Sequence, residues 1–419
     1  MVAEPFHGAG TYGKPVSLPD SATFLATSSY FCSHFPPSRY YTAGTAAETA
    51  LLTFAKTRYN NNASDVALRT YNVDVTVPGS SGDWIHTVVV EGEGTDETVD
   101  PVVIMHGYAN GIGYLFPNLL PLASLTRRKV FGIDMLGFGL SSRPEYLKIT
   151  ERTVESGEEF FVESLEEWRK AQDIDKMVLC GHSLGGYLSV AYTEKYPHRV
   201  SKLVLLSPVG VPFYDAVAAE KRLATAPLRF RALIKTARGF WRMGSTPQSV
   251  LRKLPEGRGK ALVDLYVYNR LNRLQDDEKE ALSSYFYSVG VLPGSSEFAL
   301  QDILAPGAMA KKALVDRIPK LDVANVHFVY GQSDWMDFTG GVEVQEAVER
   351  GDGKGSIKVD VRICEDAGHL LNLENPGATN AAIVSAIKND KRDFRIVTPS
   401  QVDKEKKTIM RSIPSNNRI

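Results

Sequence analysis

Apolar and polar positions alternate over residues 68–77 and again over residues 84–91, with the turn-forming Pro78, Gly79, Ser80, Ser81, Gly82 and Asp83 between them. Two runs of period two joined in this way predict an antiparallel hairpin. Downstream the pattern changes to short, continuously apolar runs at 102–105, 130–133, 177–180, 203–206, 326–330 and 357–363, spaced by stretches of helical periodicity. Such runs suit strands buried on both faces, and their alternation with helices predicts a mostly parallel sheet covered on both sides. Upstream, residues 46–59 predict a helix whose apolar face is Leu51, Leu52, Phe54 and Ala55. Between the runs at 203–206 and 326–330, residues 211–310 hold no such strand, and Leu228, Leu233, Ile234 and later Leu262, Leu265 and Val267 recur at helical spacing. An inserted helical cap is expected there, over the carboxyl edge of the sheet where open α/β sheets place their ligands.

The third of the internal apolar runs leads into Gly181, His182, Ser183, Leu184 and Gly185, and residues 186–192 then read as helix. The Gly-x-Ser-x-Gly pattern arises easily by chance in a chain with 34 Gly. With a strand before it and a helix after it, the pattern predicts a nucleophile elbow, with Ser183 as nucleophile. A serine hydroxyl needs a base to take its proton and a carboxylate to orient that base, following in chain order serine, acid, histidine. His369 follows the last apolar run and is the expected base. The acid is expected in the loop after residues 326–330, where Asp334 is favoured and Asp337 is the alternative. Two backbone N–H groups must receive the oxyanion, and those of Leu184 and Tyr108 are expected. His106 reads as a structural histidine beneath the Tyr108 loop. An antiparallel start, a doubly wound parallel sheet, an inserted cap and this order of residues together give the layout of an α/β-hydrolase. No metal or organic cofactor is implied.

Composition narrows the setting. The chain has 419 residues and a net charge of -1, so no global basic field favours nucleic acid. No apolar run approaches the roughly 20 residues that cross a bilayer, and the first residues lack a charged-then-apolar secretory design. Cys32, Cys180 and Cys364 are too few and scattered for a disulfide framework. The expected location is intracellular, in the cytoplasm or peripheral on a mitochondrial membrane or lipid droplet. Between residues 221 and 260 the basic residues include Arg229, Arg231, Lys235, Arg238 and Arg242, with Trp241 among them and Glu256 as the sole acid. Basic and aromatic residues interleaved on a helix suit contact with an anionic membrane or lipid droplet.

Several segments resemble one branch of the α/β-hydrolases. They are Phe161 to Arg169, Asp175 to Gly186, and Asp134, Met135, Leu136, Gly137, Phe138, Gly139 with Ser142, Arg143 and Pro144. Trp335 beside the acid adds to the likeness. This lipid-metabolising branch contains N-acylphosphatidylethanolamine lipases, the lipid-droplet coactivator of triglyceride lipase, and fungal cardiolipin phospholipases. The resemblance implies a serine carboxylic ester hydrolase that deacylates glycerophospholipids, with cardiolipin remodelling among the candidate roles. It also implies two alternatives. One is lysophosphatidic acid acyl transfer, linked in the branch to a His-x4-Asp motif that here reads His369 to Glu374, with Glu for Asp. The other is a lipid-binding coactivator without activity of its own, although the coactivator has Asn where this chain keeps Ser183. The expected organisation is an N-terminal extension with one helix (1–67), a core (68–210 and 311–396), a helical cap (211–310) and a disordered tail (397–419).

Overall fold

The computed structural model describes residues 37–60, 66–77, 82–92, 94–213, 243–353, 357–390 and 395–403, together with residues 220, 224, 231, 235, 236, 238, 239, 241, 405 and 406. A nine-stranded sheet runs through it: β1 (Val66–Val75), β2 (Asp83–Gly92), β3 (Val102–Met105), β4 (Val130–Ile133), β5 (Met177–His182), β6 (Val200–Leu206), β7 (Asn325–Gly331), β8 (Lys358–Cys364) and β9 (Arg395–Val397). Their spatial order is β1-β2-β4-β3-β5-β6-β7-β8-β9. The β1–β2 hairpin is antiparallel, pairing Val75 with Asp83 and Tyr71 with Thr87, and β2 pairs antiparallel with β4. From β4 to β8 every neighbouring pair is parallel.

Because β3 to β6 carry apolar side chains on both faces, two layers of helices cover them. On one face lie α1 (Pro37–Arg58) and α2 (Phe116–Thr126), whose Leu51, Leu52, Leu119 and Leu120 pack with Val102, Ile104, Val178 and Cys180. On the other lie α3 (Val154–Ala171) and α4 (Leu184–Lys195), where Phe161, Leu165, Trp168 and Leu188 pack with Val103, Met105 and Leu179. Trp168 is fully buried, and its indole N–H donates to Thr87 Oγ1 at 3.0 Å. Burying such a side chain contributes roughly 1.5–3 kcal/mol, and the hydrogen bond satisfies its one polar atom. The cap contributes α5 (Pro247–Lys253), α6 (Glu256–Arg270) and α7 (Asp276–Gly290); α8 (Thr339–Glu349) and α9 (Pro376–Lys388) complete the two layers. Among the described residues no helix is long and apolar enough to cross a membrane.

Three features differ from the sequence expectation. Helix α1 starts at Pro37, nine residues ahead of residue 46, and joins the core to the cap. Arg39 pairs with Glu256 at 2.6 Å, Arg58 pairs with Asp277 and Glu278, and Glu48 meets His86 on β2 at 2.8 Å. Past residue 396 the chain is not uniformly irregular. Val397 is buried at the end of β9, which pairs with β8 by the register Val361 to Val397, and a short 3-10 turn follows at Pro399–Gln401. An open sheet edge offers unpaired backbone groups, and β9 occupies it. Thirdly, Leu304–Ala305 and Met309–Ala310 form a two-stranded ribbon inside the stretch expected to be purely helical. Cys180 and Cys364 are buried free thiols, as their apolar runs predict, while Cys32 lies outside the described residues.

Candidate active site

All the parallel strands end at one edge of the sheet, and the loops leaving β3, β5, β7 and β8 meet there. Strand β5 passes directly into Ser183, and α4 begins one residue later. Ser183 has φ 54° and ψ -114°, a conformation that costs a non-glycine residue roughly 1–3 kcal/mol. Its surroundings hold it there. Its N–H donates to Leu206 O at 2.9 Å, and its carbonyl accepts from Val209 and Tyr187, both at 3.2 Å. The flanking glycines are required by the packing: a methyl at Gly181 would lie 2.3 Å from Gly185 O, and one at Gly185 2.5 Å from His106 O.

The structure brings Ser183, His369 and Asp334 into one hydrogen-bonded chain. Ser183 Oγ lies 3.1 Å from His369 Nε2, and His369 Nδ1 lies 3.0 Å from Asp334 Oδ1. Asp334 Oδ1 also accepts the Met336 N–H at 2.9 Å. Burial alone would raise this carboxyl; the facing His369 and the Met336 amide outweigh it and hold Asp334 below its ordinary value. Its loop is pinned to that of the histidine by the Ser333 N–H, which donates to Ala367 O at 2.8 Å. Asp337 instead accepts the Thr339 N–H at 3.0 Å, at the start of α8. Trp335 sets its ring 4.9 Å from that of His369, closing one side of the imidazole.

The loop after β3 passes against the serine, since a methyl on Gly107 would lie 3.0 Å from Ser183 Cβ. Neither the Tyr108 N–H nor the Leu184 N–H is taken by another backbone group among the described residues. His106 is committed elsewhere. Its Nδ1 lies 2.7 Å from Gly107 O and its Nε2 accepts the Met135 N–H at 3.1 Å, a neutral ring with its proton on Nδ1. Burial depresses its pKa to about 4. The unfolded chain therefore binds a proton that the native state excludes, so this contribution to stability is present above pH 6.5 and lost as pH falls toward 4. His106→Gln should remove that dependence. Urea unfolding at stepped pH should show wild type losing up to about 1.4 kcal/mol more per pH unit than the variant in that window. Parallel curves would disprove the assignment. His182, beside the serine, was not singled out by sequence; its Nε2 lies 2.8 Å from the carbonyl oxygen of His369, so it braces the backbone of that residue.

Beside the acid loop, Pro208, Val211, Pro212, Met309, Trp335 and Met336 line a small, mostly apolar cleft with Asp337 at its wall. Of the cap residues expected at a membrane, Arg229 and Arg242 lie outside the described residues. Lys235 is exposed, Arg231 is half-buried, Arg238 forms an ion pair with Glu220, and Trp241 packs against the core. A different cap surface is apolar and exposed. On α6, Leu262, Leu265, Tyr266 and Tyr268 stand 44–59% exposed, while Lys260 pairs with Asp264 and Arg270 with Glu374. Helical periodicity had marked Leu262 and Leu265, but as cap-forming positions.

One group of side chains capable of ligating a metal, Glu48, His86 and Asp134, comes together among the described residues. Its atoms are largely engaged. Asp134 accepts the N–H groups of Ile112 and Leu140, both at 2.6 Å, and the His86 ring bridges Asn72 and Glu48, both at 2.8 Å. The group ties α1 to β2 and to the loop after β4.

Fold, elbow and hydrogen-bonded chain together define a class, and comparison with known proteins agrees. The chain belongs to the α/β-hydrolase fold family, which matches residues 100–376. Within that family it falls in the lipid-metabolising branch. It is 32% identical over 362 residues to a 1-acylglycerol-3-phosphate O-acyltransferase of Arabidopsis thaliana, covering 82% of this chain and 79% of that protein. Against the (Lyso)-N-acylphosphatidylethanolamine lipase of Bos taurus the identity is 33% over 313 residues, covering 74% of this chain and 84% of the relative. Among solved structures, the carboxylesterase CesB of Bacillus subtilis superposes with a TM-score of 0.52 at 16% identity, covering 84% of this chain and 98% of that one; this likeness speaks to fold alone.

Proposed function

We propose that this lipid-acting α/β-hydrolase is a serine carboxylic ester hydrolase that deacylates glycerophospholipids through an acyl-enzyme. The observation that carries the reading is the Ser183, His369 and Asp334 chain, with its unbroken 3.1 and 3.0 Å contacts. His369 Nε2 takes the Ser183 proton as Oγ bonds to the ester carbonyl carbon, and Asp334 stabilises the imidazolium that forms. The N–H groups of Leu184 and Tyr108 receive the oxyanion. Collapse of the intermediate expels the lysolipid oxygen, which takes the proton from His369. Water then attacks the acyl-enzyme carbonyl as His369 takes its proton, and collapse of the intermediate releases the fatty acid while His369 returns that proton to Ser183 Oγ.

The branch relatives make a lipid substrate the natural class. Cardiolipin and other anionic glycerophospholipids are the substrates to try first. Peripheral contact with an anionic membrane or lipid droplet forms part of the proposal, with the exposed apolar side of α6 and Lys235 as its described elements. A fluorophosphonate probe should label Ser183 and block release of fatty acid from phospholipid vesicles. An unlabelled serine in folded protein would instead favour a coactivator that only binds lipid.

Acyl transfer is the second reading, favoured by relatives named as acylglycerol-phosphate acyltransferases. The same acyl-enzyme could hand its acyl group to a lysolipid hydroxyl in place of water. Adding excess lysophosphatidic acid should leave most acyl groups as free fatty acid under the hydrolase reading. Diversion of most of them into phosphatidic acid would make transfer the principal activity.

A further inference from the structure

The loop that carries His369 is held from the cap. The Gly368 N–H donates to the Glu374 carboxylate, whose Oε1 lies 3.1 Å from Nε of Arg270, the last residue of α6. Arg273, three residues further on, donates to the Glu374 carbonyl at 3.2 Å. Glu374 ends the short helix Leu371–Glu374 that follows the histidine, and only 14% of its side chain is exposed. Burial pushes this carboxyl up, while Arg270 and the Gly368 amide oppose that and favour its charged form. The fit is close: a methyl on Gly368 would lie 2.9 Å from both Arg270 Nη2 and Glu374 Oε2. One largely buried carboxylate thus bridges the amide immediately before His369 and a cap helix distant in sequence.

We propose that Glu374 and Arg270 are positioning residues, a latch between α6 and the histidine loop that sets where His369 Nε2 stands relative to Ser183. The inference rests on His369 acting as the base. A carboxylate that fixes the peptide next to a catalytic ring acts through that ring, and small displacements there cost rate. Losses of about 10–100-fold are usual when a group orienting a catalytic or ligating side chain is removed, and a misplacement of about 1 Å can cost 10²-fold. Substrate binding is a separate matter, because Glu374 contacts the loop and α6 through the atoms described above. The latch should therefore move kcat while leaving KM for a small soluble ester nearly constant.

The test measures kcat and KM on such an ester, with active sites counted by fluorophosphonate titration so that only folded, competent protein enters the rate. Glu374→Ala should lower kcat per site by about 10–100-fold with KM within about threefold. Glu374→Gln, which keeps an oxygen for the Gly368 N–H but loses the ion pair, should fall by about 3–10-fold, and Arg270→Ala should match it. The double variant Arg270→Ala/Glu374→Ala should be no slower than Glu374→Ala within about twofold, because both changes break one latch. If Glu374→Ala does not fold, Glu374→Gln and Arg270→Ala decide the matter. Per-site kcat within about twofold of wild type in these variants, or losses that simply multiply in the double variant, would overturn the latch. His369→Ala separates the two levels. If it keeps full activity, the reading of the base fails; if it is inactive while the latch variants behave as wild type, only the latch fails.

Discussion

Ser183→Ala should lower ester hydrolysis by about 10⁴–10⁶-fold and leave the fold unchanged. The change deletes one atom, Oγ, whose contact is His369 Nε2 at 3.1 Å, so the free energy of unfolding in urea should change by less than about 1 kcal/mol. Ser183→Gly should be equally inactive yet more stable by roughly 1 kcal/mol, because glycine accepts a φ of 54° without the penalty a side chain brings. Such a pair would show that the elbow stores strain in exchange for an exposed hydroxyl. Hydrolysis surviving in Ser183→Ala above the level of an empty preparation would sink the acyl-enzyme mechanism. A Ser183→Gly protein less stable than wild type would sink the strain argument alone.

The second large effect separates the two aspartates that sequence left open. Asp334→Asn should cost about 10²–10⁴-fold in kcat, since an amide can present its NH2 to Nδ1 and favour the wrong tautomer of the ring. Asp337→Asn should remain within about threefold of wild type, because asparagine still offers an oxygen to the Thr339 N–H. The assay is single-turnover acylation of Ser183, read as release of a chromogenic alcohol. A reversed order, with Asp337→Asn the inactive variant, would mean that the loop rearranges on binding substrate.

The pattern that made the strands legible is the one that builds the interior. Runs such as Val102–Met105 and Met177–His182 are apolar at almost every position because both faces are covered, and a continuous run survives inspection without an alignment. Ser183 and His369 were legible because each sits at a strand end whose identity the run had already supplied. Asp334 and Asp337 were harder to separate: three residues apart in one loop, they differ only in how the chain turns, and that turn depends on the Ser333 to Ala367 bond across to the loop after β8. The start of α1 was missed because its first turns carry Tyr40 and Tyr41 among Ser, Thr, Ala and Gly, without a helical apolar period. Strand β9 is three residues long, too short for any period, and exists because the edge of β8 is open to it. Glu374 was visible as a motif residue, but its partner Arg270 lies 104 positions earlier, beyond what local spacing can suggest.

Helix α1 has a consequence for exchanging parts between relatives. A cap transplanted from another member of the branch would meet Arg39 and Arg58 where this chain sets Glu256, Asp277 and Glu278, and Tyr40 edge-on to Tyr287 at 6.0 Å. Helix α1 and the cap helices α6 and α7 therefore behave as one interchangeable cassette, although about 200 residues of the primary structure separate α1 from α6. A graft carrying the cap alone would leave two arginines facing unmatched surfaces, whereas a graft that takes α1 along must match Glu48 to a histidine on the recipient's second strand.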